Sequence, residues 1–312
     1  MNTRDLQAYV AVIETGSIVA AATRLHLTQP GITRRVQSLE GMLGVELLDR
    51  QSKPLKPTSA GRDVYELGRR VLRSVDDLID CVSPQAEASG EFRLGVPPFL
   101  SEAALTTPLD CLRTEFPKLS VRVTAAWSPG LMGMLEKNLI DAAAVIVPDD
   151  TPAPERFQVH VLGREPALVV AAKAMKLPKG DLSLAELATH SWVLNQDGCG
   201  LRSAIRLALE AQHQPFTMAV EAFGAELQLS LVARGVGIGI TTPSALKRSA
   251  YRKQIHILAV PEFNNGMSVW LLHARGLSSG RLAAPLARFR NSLADVLQQL
   301  GIANGNPLPG LS

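Results

Sequence analysis

Apolar positions in the first quarter of the chain recur with the period of a helix. Leu6, Val10 and Ile13 predict an amphipathic helix over residues 4–15, stopped by Gly16. Ser17 stands where its side chain can cap a second helix, "IVAAATRL", whose alanines leave room for a neighbouring helix axis. After the short break "HL", Thr28 caps a third helix. Its first turn holds Gln29 and Pro30, where proline costs no intrahelical hydrogen bond. Ile32, Val36 and Leu39 turn inward at spacings of four and three, while Gln29, Thr33, Arg34 and Gln37 project from other faces.

Beyond residue 58 the stripe Val64, Leu67, Val71, Val75, Leu78 and Val82 predicts one long helix ending before Pro84. A stripe of that length, flanked by Arg69, Arg70, Arg73, Asp76 and Asp77, suits pairing with a second copy. After the connector "SPQAEASGE" the pattern changes. Strands "FRLGV", "LSVRVTAA", "DAAAVIV", "ALVVAAK", "SWVLNQ", "TMAVEA" and "GIGIT" are separated by helical runs, including Ser101–Phe116, "SPGLMGMLEKN" and Leu201–Gln212. This alternation predicts an α/β body with largely parallel sheets. Two late strands, "IHILAV" and "MSVWLLHA", precede a closing helix from about Arg281 to Leu300, and residues 303–312 read as a flexible tail.

Two helices joined by a tight turn, the second carrying polar and basic groups at its start, match the arrangement that enters the DNA major groove. Arginine can pair twice with guanine, glutamine with adenine, and threonine or proline can touch a thymine methyl. Charge favours this reading. Residues 1–73 hold 11 Lys/Arg against 7 Asp/Glu, a balance of +4, and the remainder holds 21 against 22. The excess positive charge therefore belongs to the N-terminal quarter, as a polyanion partner requires. The segment "ELLDRQSKPLKPTSAG" adds Arg50, Lys53 and Lys56 around two prolines, a hairpin-like wing suited to the DNA backbone or minor groove.

Composition excludes several classes. With 46% hydrophobic and 20% charged residues the chain is globular, and no apolar run is long enough for a membrane span. The start "MNTRDLQAYV" lacks a secretory pattern, so a cytoplasmic location is expected. Cys81, Cys111 and Cys199 are too scattered for a disulfide framework or metal site. There is no GxSxG elbow or phosphate loop, and the six histidines (His26, His160, His190, His213, His256 and His273) form no paired ligands. No catalytic residue and no resident cofactor are predicted.

The run "GSIVAAATRLHLTQPGITRRVQSLEGMLGVELLDR…PTSAG" resembles the N-terminal domain of LysR-type transcriptional regulators. The match rests on Gly16-Ser17, Ala21-Ala22, Leu25, Thr28-Gln29-Pro30, Leu39-Glu40, Leu43-Gly44, Leu47, Arg50 and Thr58 to Gly61. Leu48 replaces the usual phenylalanine, and Pro57 replaces leucine in the wing. With the helix reading, the DNA-contacting set becomes Ser17, Thr28, Gln29, Pro30, Thr33, Arg34, Arg35, Gln37, Arg50, Lys53 and Lys56. The resemblance implies a winged helix-turn-helix (residues 1–58), a dimerising linker helix (59–88) and a two-lobed effector domain similar to periplasmic binding proteins. Lobe 1 would span residues 91–163 and 267–302, and lobe 2 residues 164–266. It also implies self-association as a dimer or dimer of dimers, a pseudo-palindromic double-stranded DNA operator, a small-molecule effector between the lobes, and RNA polymerase as a further partner.

In such a fold ligands bind where strands end and helices begin. That rule selects Pro98, Phe99 and Ser101 after the first strand, Ser128 at a helix start, Gln196, Cys199 and Gly200 in "NQDGCG", and Thr241 and Thr242 in "TTP". Ser128, with its hydroxyl and nearby backbone N–H groups, is the leading candidate for holding a carboxylate or other anion. Asn138 stands where glycine is common, and Ile146 where some branches that bind aromatic carboxylates carry arginine. "DGCGLR" is also similar to the reactive-cysteine loop of the peroxide-sensing branch, displaced by one position. A thiol at a helix start can have a lowered pKa, which makes redox sensing through Cys199 an alternative reading. A solute-binding protein or an enzyme on the same body is the other.

Overall fold

The computed structural model describes residues 2–49, 51–52, 54–82, 88–178, 180–278 and 280–302; within these, the side chains of residues 73, 76, 77, 80–82 and 101–103 are not described. The tail 303–312 lies outside the described residues. The chain forms two compact units.

The N-terminal unit begins with helices α1 (Thr3–Thr15), α2 (Ile18–Arg24) and α3 (Gln29–Leu43). Gly16 closes α1 at φ 64°, the left-handed conformation that glycine adopts without steric cost. The predicted caps are in place: Ser17 Oγ accepts from Ala20 N at 3.4 Å, and Thr28 Oγ1 from Gly31 N at 3.2 Å. Leu6, Tyr9, Val12, Ala21, Ile32, Val36 and Leu39 make one core. Short strands β1 (Leu48–Asp49) and β2 (Lys56–Pro57) pair antiparallel, Leu48 opposite Pro57, and form the wing.

Helix α4 (Ser59–Val82) follows as one rod of 24 residues. Its start is stitched to the wing. Thr58 Oγ1 donates to Glu46 O at 2.8 Å and accepts from Gly61 N at 3.0 Å. Gly61 is required here, because a Cβ would lie 2.1 Å from Leu47 O. The buried Glu40 carboxylate accepts from the N–H groups of Leu47 (2.8 Å) and Leu48 (3.3 Å), fixing the entry to the wing from α3.

The second unit carries two mixed five-stranded sheets. The first is built from β3 (Gly90–Val96), β4 (Leu119–Ala125), β5 (Ala142–Pro148) and β6 (Phe157–Pro166), with helices α5 (Pro98–Ala104), α6 (Thr106–Glu115) and α7 (Ser128–Glu136) between them. The second contains β7 (Leu168–Ala172), β8 (Trp192–Asn195), β9 (Met218–Ala222), β10 (Ile238–Thr241) and β11 (Ile255–Ile257), with α8 (Leu184–Ala188), α9 (Gly200–Ala211), α10 (Ala225–Ala233) and α11 (Pro243–Arg248). Strand β12 (Gly266–Ala274) then returns to the first sheet, and α12 (Ala283–Gln299) covers it. Spatial orders are β4-β3-β5-β12-β6 and β11-β7-β10-β8-β9.

Three sequence expectations change. Ser101–Phe116 is two helices, not one. Pro108 has no N–H to offer Ala104 O, so the chain restarts at Thr106 with proline in the first turn. The ten-residue strand β6 was not anticipated. The sheets are mixed rather than largely parallel: β12 runs antiparallel to both β5 and β6, and β7 to both β10 and β11. The unbroken apolar run "AAAVIV" reflects a strand covered on both faces. Ala142 and Ala144 join the core under α12, while Ala143, Val145 and Val147 join the one under α7. Asn138 takes φ 53°, the backbone role expected where glycine is usual.

Candidate functional site: a reading helix and an interlobe cavity

The inward Ile32–Val36–Leu39 stripe fixes the rotation of α3, which leaves Gln29, Pro30, Arg34 and Gln37 exposed along its outer side. Thr33 and Arg35 are half-buried flanks, and the Thr33 hydroxyl donates back to Gln29 O at 3.1 Å. Ser17 and Thr28 spend their side-chain oxygens on caps. Lys56 is exposed on the wing, whereas Arg50 and Lys53 lie outside the described residues. Arg24 is neutralised by Glu14 at 2.6 Å. Among the described residues, Arg34, Arg35 and Lys56 have no such acidic partner, so their charge remains available to a polyanion.

On α4, Val64 turns onto the core of its own unit, so the free stripe starts at Leu67. Leu67 (57% exposed), Val71, Leu78 (69%) and Ile79 are uncovered, and Val75 is half-buried. The Val82 side chain lies outside the described set.

The second site is a cavity of about 60 Å³ between the two sheets of the body. It opens where β3, β5, β8 and β10 end, as the topology rule requires. Of the expected residues it gathers Phe99, Ser128, Cys199, Gly200, Thr241 and Thr242. Pro98 is buried beside it, with Pro97 in the wall instead. Gln196 is exposed and faces Trp127 Nε1 at 3.5 Å. The Ser101 side chain is outside the described set.

Two expectations about this chemistry are corrected. The Ser128 hydroxyl donates to Ile146 O at 2.9 Å and accepts from Ile146 N at 3.0 Å, so its one proton is committed to β5 and not offered to an anion. Cys199 is buried, and that burial raises its thiol pKa. The N–H groups of Arg202 and Leu201 and the Arg202 charge pull less strongly the other way. The lowered pKa expected at this helix start is not found.

Sequence reasoning missed the polar centre of the cavity. Glu165, near the end of β6, is buried; its Oε2 accepts from Ser244 N at 3.1 Å and its Oε1 from Ser244 Oγ at 2.9 Å. Burial pushes this carboxyl above the ordinary range, against the hydrogen bonds from Ser244 and Thr242 and the charge of Arg248. Asn195 Nδ2 donates to Gln228 Oε1 at 2.6 Å, and Gln228 Nε2 donates to Ile240 O at 2.7 Å. Trp127 meets Phe223 edge-on with centroids 6.3 Å apart, an aromatic contact from one lobe to the other. The signal for Asn195 was available, since it is the last residue of its strand, one before the selected Gln196.

A histidine pair bridges β6 and β12: His160 Nε2 and His273 Nε2 are 3.0 Å apart. His273 Nδ1 lies 2.8 Å from Ala274 O, which assigns its proton to Nδ1 and makes His160 the donor between the rings. Burial lowers the pKa of both, and the charge of Arg290 adds to this; for His160 so does His273. The unfolded chain therefore binds protons more readily than the folded one below about pH 6.5. Stability of the body is expected to be full above that pH and to fall as pH drops towards the folded-state values. Thermal melts from pH 8 to pH 5.5 check this, and His160→Gln should flatten the slope.

Comparison with known proteins places these features. The family model described as "Bacterial regulatory helix-turn-helix protein, lysR family" matches residues 3–62, and "LysR substrate binding domain" matches residues 85–298. The chain is 25% identical over 273 residues to the uncharacterized HTH-type transcriptional regulator YeiE of Escherichia coli (strain K12), spanning 87% of this chain and 91% of that one. It is 26% identical over 301 residues to the hydrogen peroxide-inducible genes activator of Pectobacterium carotovorum subsp. carotovorum, spanning 96% of each. Among solved structures, a cysteine-to-aspartate variant of full-length OxyR from Pseudomonas aeruginosa shares the fold. The TM-score is 0.69 at 18% identity, over 98% of this chain and 99% of that one.

Proposed function

Because this chain belongs to the LysR-type transcriptional regulators, DNA-binding proteins that carry an effector-binding domain, we propose that it reads a pseudo-palindromic operator as a homodimer or dimer of dimers. The observation that carries this reading is the outer side of α3. Gln29, Pro30, Arg34 and Gln37 are exposed together over a fixed core, and Arg34, Arg35 and Lys56 have no acidic partner among the described residues. The parts are assigned as a winged head (residues 1–58), a pairing stalk (59–88), lobe 1 (91–163 and 267–302) and lobe 2 (164–266). The heads supply a salt-dependent phosphate contribution and the reading helices supply base contacts. The stripe from Leu67 to Leu78 joins two copies, so that two heads meet two half-sites at fixed spacing. A small molecule in the interlobe cavity prefers one arrangement of the lobes and biases that spacing. RNA polymerase is the downstream partner, and the cytoplasm is the place of action. The family is one of regulators and not of enzymes.

Protection of the DNA next to its own gene tests the proposal. The wild type is expected to prefer that fragment over random duplex at moderate salt. Leu67→Lys combined with Leu78→Lys should sediment as a monomer and lose that preference. A wild-type homodimer indifferent to every genomic fragment would overturn the reading.

A further inference from the structure

Three features of the body lie outside the DNA-reading function: the cavity, the histidine pair and Cys111. Cys111 takes a contact from Arg288 Nη2 at 3.1 Å, but a lone thiol with one cation defines no site. The cavity carries more.

Its wall is apolar and aromatic: Phe99, Trp127, Ile146, Ile240, Met267 and Val269 surround it. Among the described residues that line it there is no lysine, arginine or histidine, and the one charged side chain is the acid Glu165. Several of the side-chain donors around it are already committed. The Ser128 hydroxyl serves Ile146, Asn195 Nδ2 donates to Gln228 Oε1, and Gln228 Nε2 donates to Ile240 O. Thr242 and Ser244 hydroxyls lie 3.2 Å apart, and Ser244 donates to Glu165.

The neighbouring arginines point elsewhere. Arg202 Nη1 donates to Asn195 O at 3.0 Å and to Glu221 at 2.6 Å, with Asp197 3.1 Å from its Nε. Arg248 is exposed, its guanidinium 5.1 Å over the Phe99 ring, and stands outside the cavity wall. A carboxylate entering this space would meet a buried acid, and Arg248, whose charge bears on that acid, stands outside the wall. An ammonium group would instead find in Glu165 an acceptor with lone pairs beyond those used by Ser244 and Thr242.

We propose that the interlobe cavity takes a small apolar amine, its ammonium group on Glu165 and its hydrocarbon body against Phe99, Trp127 and Ile146, and that it rejects carboxylates. This rests on the reading of the cavity as the effector site.

Three near-isosteric probes test it on the full chain at neutral pH: benzylamine, benzyl alcohol and benzoate, followed by calorimetry and by tryptophan fluorescence. Benzylamine is expected to bind about tenfold or more tighter than benzyl alcohol, and benzoate weakest of the three. Glu165→Gln should remove the advantage of benzylamine over benzyl alcohol. Ala225→Phe, which fills the cavity from the start of α10, should abolish binding of all three. Benzoate binding as tightly as the amine, or an amine preference that survives Glu165→Gln, would overturn the ligand class. If Ala225→Phe still abolished binding in those cases, the cavity reading would stand. Binding unaffected by Ala225→Phe, or saturation by none of the probes, would remove both.

Discussion

Arg34→Ala is expected to weaken operator binding by about 5- to 150-fold per reading head, the range for losing one base-reading arginine. Two heads engage together and lie far apart, so the losses add to about 2 to 6 kcal/mol for the dimer. The size follows from position. Arg34 is exposed on the outer side of α3, it is free of an acidic partner among the described residues, and the buried stripe behind it fixes where its Cα stands. Electrophoretic mobility shift over a salt series separates two roles. If Arg34 reads a base, discrimination at one base pair relaxes while binding to random duplex hardly changes. Equal loss on both, with a shallower salt dependence, assigns it to a phosphate.

Gly61→Ala is expected to cost the head about 3 kcal/mol or more and with it most DNA affinity. The added methyl would stand 2.1 Å from Leu47 O and 2.7 Å from Tyr9 Oη, and the carbonyl cannot rotate away as a side chain can. Leu47 O accepts from Thr58 N at 3.0 Å, and the Tyr9 hydroxyl donates to Gly61 O at 2.7 Å. One methyl group therefore strains wing, first helix and stalk at once. Denaturation followed by separate probes should show the head losing stability while the body melts as before. Retention of wild-type DNA affinity would refute the close-packing argument.

Local chemistry was the part most legible in the sequence. The caps at Ser17 and Thr28, the stop at Gly16 and the inward stripe of α3 involve neighbours within four residues, so composition and spacing sufficed. The cavity was half legible for the same reason. Strand ends located Phe99, Cys199 and Thr242, but a hydroxyl's partner cannot be read from its own surroundings. Ser128 is bound by Ile146, 18 residues away, and Glu165 by Ser244, 79 residues away. Glu165 was further hidden on β6, whose alternation gives way to Gly163, Arg164 and Glu165 before Pro166. Mixed sheet direction was invisible too. It arises from β12 pairing with β5 and β6, strands 100 or more positions earlier, and from β7 pairing with β10 and β11.

Register at one end of β12 has a practical consequence. Gly266 pairs with Pro166, so the points where the chain departs for the second sheet and comes back from it sit side by side. Everything between them is a loop-out with abutting ends, the geometry of a removable cassette. Part of the ligand wall, Asn195, Gln228 and Thr242 among it, travels with that cassette, while Glu165, Phe99, Trp127 and Ile146 stay behind. Chimeras spliced at this single pair of neighbours can therefore exchange one wall of the cavity while Glu165, and the part of the molecule that meets DNA, stay in place.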